Sequence, residues 1–280
     1  MTPENPTILC PGCKRLIGLD ERRCPHCGLR RPGSKLKRLL RGADEQALMW
    51  WIKGIIYANV AMFIVSLAAK AGGIRFSANP LYFLSPDSNA LLVLGATGSL
   101  PVHRLHRWWS LLSAGYLHGG VLHIFFNMAA FRQLAPLALR EYGPWRMFTI
   151  YTLSSVFGFW VSVLAGVPLT IGASAAVCGL IGALVYFGKA RGGDWGRLVY
   201  RQIGGWAVGI LLFGMLIPGI NNWGHAGGFA AGVALGFILG YVEKKPENAF
   251  HRALGGLCLL ATAAVLVWVI FLAVMFRIYA

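Results

Sequence analysis

The chain has 280 residues, of which 56% are hydrophobic and only 13% are charged, and this balance excludes an ordinary soluble domain of that size. We therefore expect a polytopic membrane protein in contact with the lipid bilayer. The formal net charge is +16, but basic residues crowd positions 14–53 and then recur in short connections. This distribution is typical of topology signals and lipid contacts, and it argues against a nucleic-acid partner.

Two pairs of cysteines lie near the start of the chain. Cys10 and Cys13 form one Cys-x-x-Cys pair, and Cys24 and Cys27 form the second. Two such pairs at this separation can arrange four thiolates around one Zn²⁺, and so short a segment could hardly fold without the metal. A redox or disulfide pair is the alternative, which fits poorly with a reducing cytoplasm. We predict a structural zinc ribbon over residues 1–30, which could also bind a cytosolic partner.

Seven apolar segments follow a basic juxtamembrane linker at residues 31–47. They are long enough to cross a bilayer. The first six form a core over residues 48–242, and residues 243–280 hold a cytosolic loop and an additional C-terminal helix. Residues 70–110 are rich in glycine and proline and are expected to lie in the interface. The segments are predicted at about residues 48–69, 118–139, 146–166, 171–189, 203–219, 223–242 and 253–276.

Charges in the connections indicate the orientation of these segments. The first residues lack the pattern of a cleaved signal peptide, so we expect the N-terminus to stay in the cytoplasm. Residues 167–170 and 218–222 contain no Lys or Arg, whereas the connections after the second, fourth and sixth segments are basic. Because positive residues favour the cytoplasmic side, the fourth and sixth segments should begin near the outer face, and the C-terminus should be extracytoplasmic.

Polar residues occur at the starts of these two segments. Ser174 opens the fourth, and His225 lies near the start of the sixth. Small residues recur at every fourth position at Ser174, Cys178 and Gly182, beside Ala175, Gly179 and Ala183, and glycines recur at the same interval from Gly224 to Gly240. Such stripes let membrane helices approach closely. Simple packing would explain the stripes, and a lone serine usually bonds to the preceding turn. If the stripes face each other, however, Ser174 and His225 come within hydrogen-bonding distance.

His123 and Asn127 lie four residues apart on the second segment, so both side chains can point at one spot. A serine nucleophile needs a base and donors that stabilise an oxyanion. We expect His225 to be the base, and His123, Asn127 and the Ser174 backbone N–H to be the donors. The only carboxylate between Glu141 and Glu243 is Asp194, on the predicted cytoplasmic side. The site would therefore be a Ser-His dyad.

Three motifs together resemble the signatures of the rhomboid family of intramembrane serine proteases. They are Tyr116 to Asn127, Gly172-Ala173-Ser174 and Trp223 to Gly228, and the resemblance covers roughly residues 50–242. It implies an all-α, rhomboid-like bundle of about seven transmembrane helices. The additional helix is similar to the six-plus-one form of the family, and the zinc ribbon is similar to a cytosolic appendage of some bacterial members.

The resemblance also implies a role for each motif residue. Ser174 would be the nucleophile, His225 the general base, and His123 and Asn127 the oxyanion donors, with His118 and Gly172 in support. The substrates would be transmembrane proteins cut near the outer leaflet without a metal or cofactor in the chemistry, and the location would be a bacterial inner (cell) membrane.

Four positions depart from the family pattern. Ala175 replaces the usual glycine, and its methyl could narrow the oxyanion pocket; Cys178 replaces an aromatic residue that stacks on the base histidine. Ser110 stands where Arg is common, and Leu139 stands where Glu is usual. None of these removes a catalytic group, so we expect an active endopeptidase. The alternative is a weak or inactive rhomboid-like protein that binds membrane clients. A transporter is disfavoured, since the polar residues cluster at one depth.

Overall fold

The computed structural model describes residues 7–10, 15–19, 21–26, 28, 30, 35–69, 83–217 and 219–279. The chain divides into two compact units, Met1–Trp51 and Ile52–Ala280. In the first unit, strands β1 (Thr7–Leu9) and β2 (Leu16–Gly18) form an antiparallel hairpin in which Ile8 lies opposite Ile17.

Helices make up most of the remaining described chain. Seven of them are long, and they coincide with the seven predicted segments, so the predicted all-α polytopic architecture is confirmed. A π-helical turn precedes the third helix and a 3₁₀ turn follows it, at Leu100–Arg104 and Ala114–Tyr116. The helices are α1 (Lys35–Ala68), α2 (Ser88–Val93), α3 (Ser110–Ser113), α4 (Val121–Tyr142), α5 (Pro144–Leu164), α6 (Ser174–Arg191), α7 (Gly193–Leu216), α8 (Asn222–Leu239) and α9 (Ala249–Tyr279).

Four helical stretches of the described chain are long and apolar enough to cross a membrane, namely Met49–Ala68, Pro144–Leu164, Gly193–Leu216 and Ala249–Met275. The helices α4, α6 and α8 carry the small and polar residues of the motifs. Helix α6 packs against α4, α5, α7 and α8. A helix enclosed by other helices can tolerate small and polar residues that a lipid-facing helix could not.

The described part of the connection before α4 consists of short helices and turns, none of which could span a bilayer. It pairs with the connection that leads into α6: Thr97 N–H donates to Thr170 O at 3.1 Å, and Thr170 N–H donates to Thr97 O at 2.6 Å. Gly98 has φ +142°, and a Cβ there would lie 2.5 Å from Pro168 O. Glycine is needed at this position because the two backbones touch.

A buried arginine attaches the α8–α9 loop to the rest of the bundle. The Arg146 side chain is fully buried, and its Nη2 donates to Lys245 O at 2.7 Å and to Pro246 O at 3.2 Å. Glu247 Oε1 accepts from the Arg146 backbone N–H at 2.9 Å. The carboxylate therefore caps α5, whose own N-cap residue, Gly143, has no side chain. These bonds fix the loop from which α9 returns to pack against α5.

Candidate active site

Ser174 is the first residue of α6. Its side chain is half-buried, whereas residues 175–184 are buried. The preceding connection is held by a hydrogen bond from Gly172 N–H to Ala114 O at 2.9 Å. The first turn of a helix presents N–H groups without intrahelical partners and the positive end of the helix dipole. The Ser174 hydroxyl therefore lies at a fixed helix start that favours negative charge.

Helices α6 and α8 touch through their backbones. A Cβ built on Gly228 would collide with the carbonyl oxygen of Ala175, and one built on Gly232 would collide with that of Gly179. The contacts advance in step along both helices, so the helices are parallel and their first turns lie at the same end. The predicted contact between small residues is present. On α6 it involves Ala175 and Gly179, and also Gly182, where a Cβ would collide with the carbonyl oxygen of Phe229 in α8. The serine is one position, about 100°, away from the contact.

His225 lies in the first turn of α8, and its backbone N–H donates to Asn221 O at 3.2 Å. Its Nδ1 is buried and has no hydrogen-bond partner among the described residues, so no carboxylate of that part of the chain orients the ring. Within the same residues, no hydrogen bond joins the Ser174 hydroxyl to the imidazole. Catalytic hydrogen bonds are often long before a substrate binds.

His123 lies against the loop that leads into Ser174. Its Nδ1 accepts a hydrogen bond from Gly119 N–H at 3.2 Å, which in the neutral ring leaves the proton on Nε2. A Cβ built on Gly172 would lie 2.6 Å from that Nε2, and Gly172 has φ +119°. Gly172 thus needs to be glycine for both space and conformation. His123 and Gly172, two of the predicted residues, are therefore in direct contact.

The other two predicted residues on this side are buried. Asn127 is 8% exposed, and its Nδ2 donates to His123 O at 2.8 Å, so one amide proton is used within α4 and the second remains. His118 is fully buried, and its ring packs edge-on against that of His123 with 5.1 Å between centroids. It approaches the Tyr116 backbone, but neither ring nitrogen has hydrogen-bond geometry. His118 therefore supports the His123 ring by packing.

The methyl group of Ala175 is directed at α5. A Cβ built on Gly158 would lie 3.0 Å from the Ala175 Cβ and 2.5 Å from Gly224 O. Ala175 is only 1% exposed, so its methyl group is buried in the contact with α5; its effect on the oxyanion pocket stays a prediction. Because Gly158 has no side chain, α5 leaves space for the Ala175 methyl group. Cys178 replaces the aromatic residue that the family pattern places against the base histidine. In the described structure, no aromatic ring stacks on His225.

The connection before α4 is anchored without an arginine at position 110. Ser110 is buried and donates to Thr97 Oγ1 at 2.9 Å. Arg107 supplies the cation: its Nη1 donates to Leu92 O at 2.8 Å, and its guanidinium lies 5.9 Å from the centre of the Trp109 ring. Arg107, three residues before Ser110, therefore attaches this connection to Leu92 of α2.

The carboxylate absent at Leu139 occurs two residues later. Glu141 is 7% exposed and accepts a hydrogen bond from Trp195 Nε1 at 3.3 Å. Its carbonyl accepts from Val242 N–H at 2.7 Å. Glu141 thus joins the ends of α4 and α8 to the start of α7.

Asn221 connects three elements around the site, a role that could not be predicted from the sequence. Its Oδ1 accepts from Gly224 N–H at 3.0 Å, which caps α8. Its Nδ2 donates to Ser162 Oγ on α5 at 2.7 Å and to Thr170 Oγ1, in the connection before α6, at 2.9 Å. An asparagine before a helix predicts a cap, but no sequence signal indicates the two other bonds. Asn221 fixes the start of α8 relative to the start of α6.

Half of the predicted zinc site lies within the described residues. Cys10 and Cys24 are buried in one cluster with Ile17 of β2. Cys13 and Cys27 lie outside the described residues, and within the described ones no group of three or more potential metal ligands occurs. Cys10 and Cys24, the first cysteine of each pair, are therefore close together, and the metal site stays a prediction.

Comparison with known proteins shows which family this chain resembles. Residues 105–242 match the model of the Rhomboid domain. The chain is 32% identical over 202 residues to RHOMBOID-like protein 4 of Arabidopsis thaliana, covering 65% of this chain and 50% of that protein. It is 30% identical over 148 residues to Rhomboid protease GluP of Bacillus subtilis (strain 168), covering 51% and 28%. It is 31% identical over 205 residues to Inactive RHOMBOID-like protein 8 of Arabidopsis thaliana, covering 64% and 56%.

The fold and the buried polar site define a multi-pass membrane protein built from packed α-helices. Within that class the chain belongs to the rhomboid family, through the rhomboid domain at residues 105–242, and the predicted membership is confirmed. The matched regions span from 28% to 56% of the length of these relatives. Because one relative is named a protease and another is named inactive, membership does not by itself decide activity.

Proposed function

We propose that this protein is an intramembrane serine endopeptidase that cleaves transmembrane segments of substrate proteins near the outer leaflet. The main support is the backbone contact between the parallel helices α6 and α8, since it puts the first turns that carry Ser174 and His225 at the same end. The position of His123 Nε2 beside Gly172 is further support.

The proposed mechanism assigns each group one task. The Ser174 hydroxyl attacks the carbonyl carbon of the scissile bond while His225 accepts its proton. The developing oxyanion is stabilised by His123 Nε2–H, the second Asn127 Nδ2–H and the Ser174 backbone N–H. His225 then returns the proton to the leaving amine, and water hydrolyses the acyl-enzyme by the same route. No metal or cofactor is needed for these steps.

The test is cleavage of a panel of membrane reporters by the purified protein in liposomes. We expect some reporters to be cleaved, and we expect Ser174→Ala to abolish both this cleavage and labelling by a fluorophosphonate, which reacts with activated serines. Substituting Ser88, an exposed serine at the start of α2, by Ala is the control and should retain labelling. Labelling that persists in Ser174→Ala would exclude Ser174 as the nucleophile.

Asn221→Ser should slow catalysis more than it weakens the fold. Serine also caps helices but is too short to reach both Ser162 and Thr170, so α8 would keep its cap and lose its position. We expect kcat to fall about tenfold, with a change in the free energy of unfolding below about 1 kcal/mol. Asn248→Ser, the same change at the start of α9, is the matched control. Equal effects of the two substitutions on kcat would mean that Asn221 only caps α8 and does not position it.

A catalytically weak or inactive protein that binds membrane clients is the second candidate. It is favoured by the absence, among the described residues, of a Ser174–His225 hydrogen bond and of a ring stacked on His225. In that case a double substitution, Ala175→Gly with Cys178→Tyr, should create cleavage in a protein that lacks it. An active enzyme would change only modestly.

We also propose that Cys10, Cys13, Cys24 and Cys27 bind one structural Zn²⁺. The support is the shared burial of Cys10 and Cys24 and the preference of zinc for four thiolates. Purified protein should contain about one zinc per chain by elemental analysis, and Cys24→Ser should lose most of it. Cys258→Ser, in α9, is the control and should keep the metal. Full zinc content in Cys24→Ser would contradict the assignment.

The proposed orientation has a cytoplasmic N-terminus and an extracytoplasmic C-terminus. It is supported by the distribution of basic residues between the connections. A bacterial inner membrane remains part of the proposal, and the relatives come from both a bacterium and a plant. The substrates are transmembrane proteins, and a cytosolic partner could dock on the zinc ribbon.

A further inference from the structure

Arg132 is a charged residue half way along a membrane helix. It lies in α4, eleven residues before Gly143, the turn that joins α4 to α5. The two helices are antiparallel neighbours, so Arg132 is level with about residue 154 of α5. That position is near the middle of the apolar span Pro144–Leu164. The charge therefore lies at the depth of the hydrocarbon layer.

Arg132 also lies on a face of α4 that the described helices leave uncovered. Arg132, Gln133 and Pro136 are exposed, whereas Phe131 and Leu134 are buried against the bundle. Pro136 has no N–H, so the Arg132 carbonyl, one turn earlier, lacks its helical donor. One exposed turn thus presents a guanidinium, a carboxamide and a backbone carbonyl that the helix does not satisfy in the usual way.

No carboxylate of the described chain neutralises Arg132, which forms no ion pair or hydrogen bond there. The next acid along α4, Glu141, is about 13 Å further along the helix. It already contacts Arg140 Nε at 3.3 Å and Trp195 Nε1 at 3.3 Å. Uncompensated charge inside a membrane is costly, and such residues usually face a polar partner. Since the described part of the chain supplies no counter-charge for Arg132, a bound molecule is a natural source of one.

We propose that Arg132 is a specificity-determining residue that binds an Asp or Glu side chain in the transmembrane segment of the substrate. This inference rests on the proposed protease function. A carboxylate can accept two parallel N–H···O bonds from the guanidinium, and the pair is less costly in the apolar layer than either charge alone. Lipid headgroups are disfavoured, since they begin about 15 Å from the middle of the hydrocarbon core.

The position of Arg132 predicts where the acid lies in the substrate. Arg132 is five residues beyond Asn127 along α4, which is about 7 to 8 Å. Along the axis of α4, the acid therefore lies about five helical residues beyond the scissile bond, towards Gly143. Arg132 is also rotated about 140° from Asn127 around the helix, so the substrate segment has to lie against the exposed face of α4 beyond the cut.

The test compares reporters that differ at one transmembrane position, occupied by Leu, Asp or Lys and scanned about four to eight residues beyond the cut. In neutral liposomes, the unmodified protein should cleave the best Asp reporter with a kcat/KM about tenfold above that of its Leu counterpart. Arg132→Glu should lose this preference and favour the Lys reporter, whereas Arg132→Lys should retain part of it. Arg140→Leu removes a basic residue that is already paired with Glu141, and this control should keep the preference.

Three outcomes would overturn the inference. The first is equal cleavage of the Asp and Leu reporters by the unmodified protein and by Arg132→Glu. The second is a rate that follows the anionic lipid content rather than the charge of the reporter. The third is equal Kd values for fluorescent Asp and Leu segments that bind to the Ser174→Ala protein, which measures recognition without cleavage. Failure of the proposed function is different: no reporter is cleaved in a Ser174-dependent way.

Discussion

Replacing His225 by Ala is expected to lower kcat about a thousandfold without weakening the fold. The imidazole is the only base proposed for the Ser174 proton, so its loss leaves the hydroxyl unactivated. Stability should not fall, since His225 Nδ1 is a buried polar atom without a hydrogen-bond partner in the described structure, and removing such an atom relieves a desolvation cost. The measurements are reporter kinetics, fluorophosphonate labelling of Ser174 and thermal unfolding in detergent.

The control for this prediction is a histidine outside the proposed site. His103→Ala, at an exposed histidine in the π-helical turn, should leave kinetics and labelling unchanged. Labelling of Ser174 at the normal rate in the His225→Ala protein would show that His225 is not the base. A large loss of stability without a specific loss of kcat would make the histidine a packing residue.

Gly232→Ala should destabilise the protein by about 3 kcal/mol. The added methyl would collide with the carbonyl oxygen of Gly179, and a backbone oxygen cannot move aside as a side chain can. Helices α6 and α8 would have to separate, which would also displace Ser174 from His225. Chemical or thermal unfolding in micelles measures the first effect, and reporter cleavage measures the second.

Gly256→Ala is the matched control for this substitution. Gly256 is also inside a long apolar helix, α9, but a Cβ there would have no neighbour within 4 Å. Both substitutions gain the same helix propensity, worth about 1 kcal/mol, so only the steric contact differs. We expect Gly256→Ala to be as stable as the unmodified protein or slightly more stable. Equal stability of the two variants would mean that α6 and α8 are not in backbone contact.

Much of the fold could be predicted from the sequence because a membrane imposes a strong pattern. A helix that spans the bilayer needs about 20 apolar residues, so seven such segments predict seven long helices. The candidate site was also visible, because polar residues at Ser174, His225 and His123 are conspicuous in apolar segments. The glycine repeat in α8 predicted a close helix contact, since backbones can touch only where side chains are absent.

The sequence could not say which small residues on α6 touch α8. Ala175 and Gly179 make the contact, and Gly182 of the row that begins at Ser174 makes it as well. Two rows with the same spacing lie side by side on α6, and how they face α8 depends on the rotation of α6 within the whole bundle. For the same reason, no sequence pattern near Ala175 predicts that Gly158 of α5 leaves space for its methyl group.

The sequence by itself determined the membrane class, the number of long helices and the residues from which a serine dyad could be built. Only the tertiary structure decided that Asn221 joins α8 to Ser162 and Thr170, and that Arg132 is exposed without a counter-charge from the described residues. The physical reason is the separation along the chain of the residues that interact. Helix length and side-chain period are local properties of the chain, whereas a hydrogen bond across some 50 residues, or a charge left unpaired, depends on how all the helices pack together.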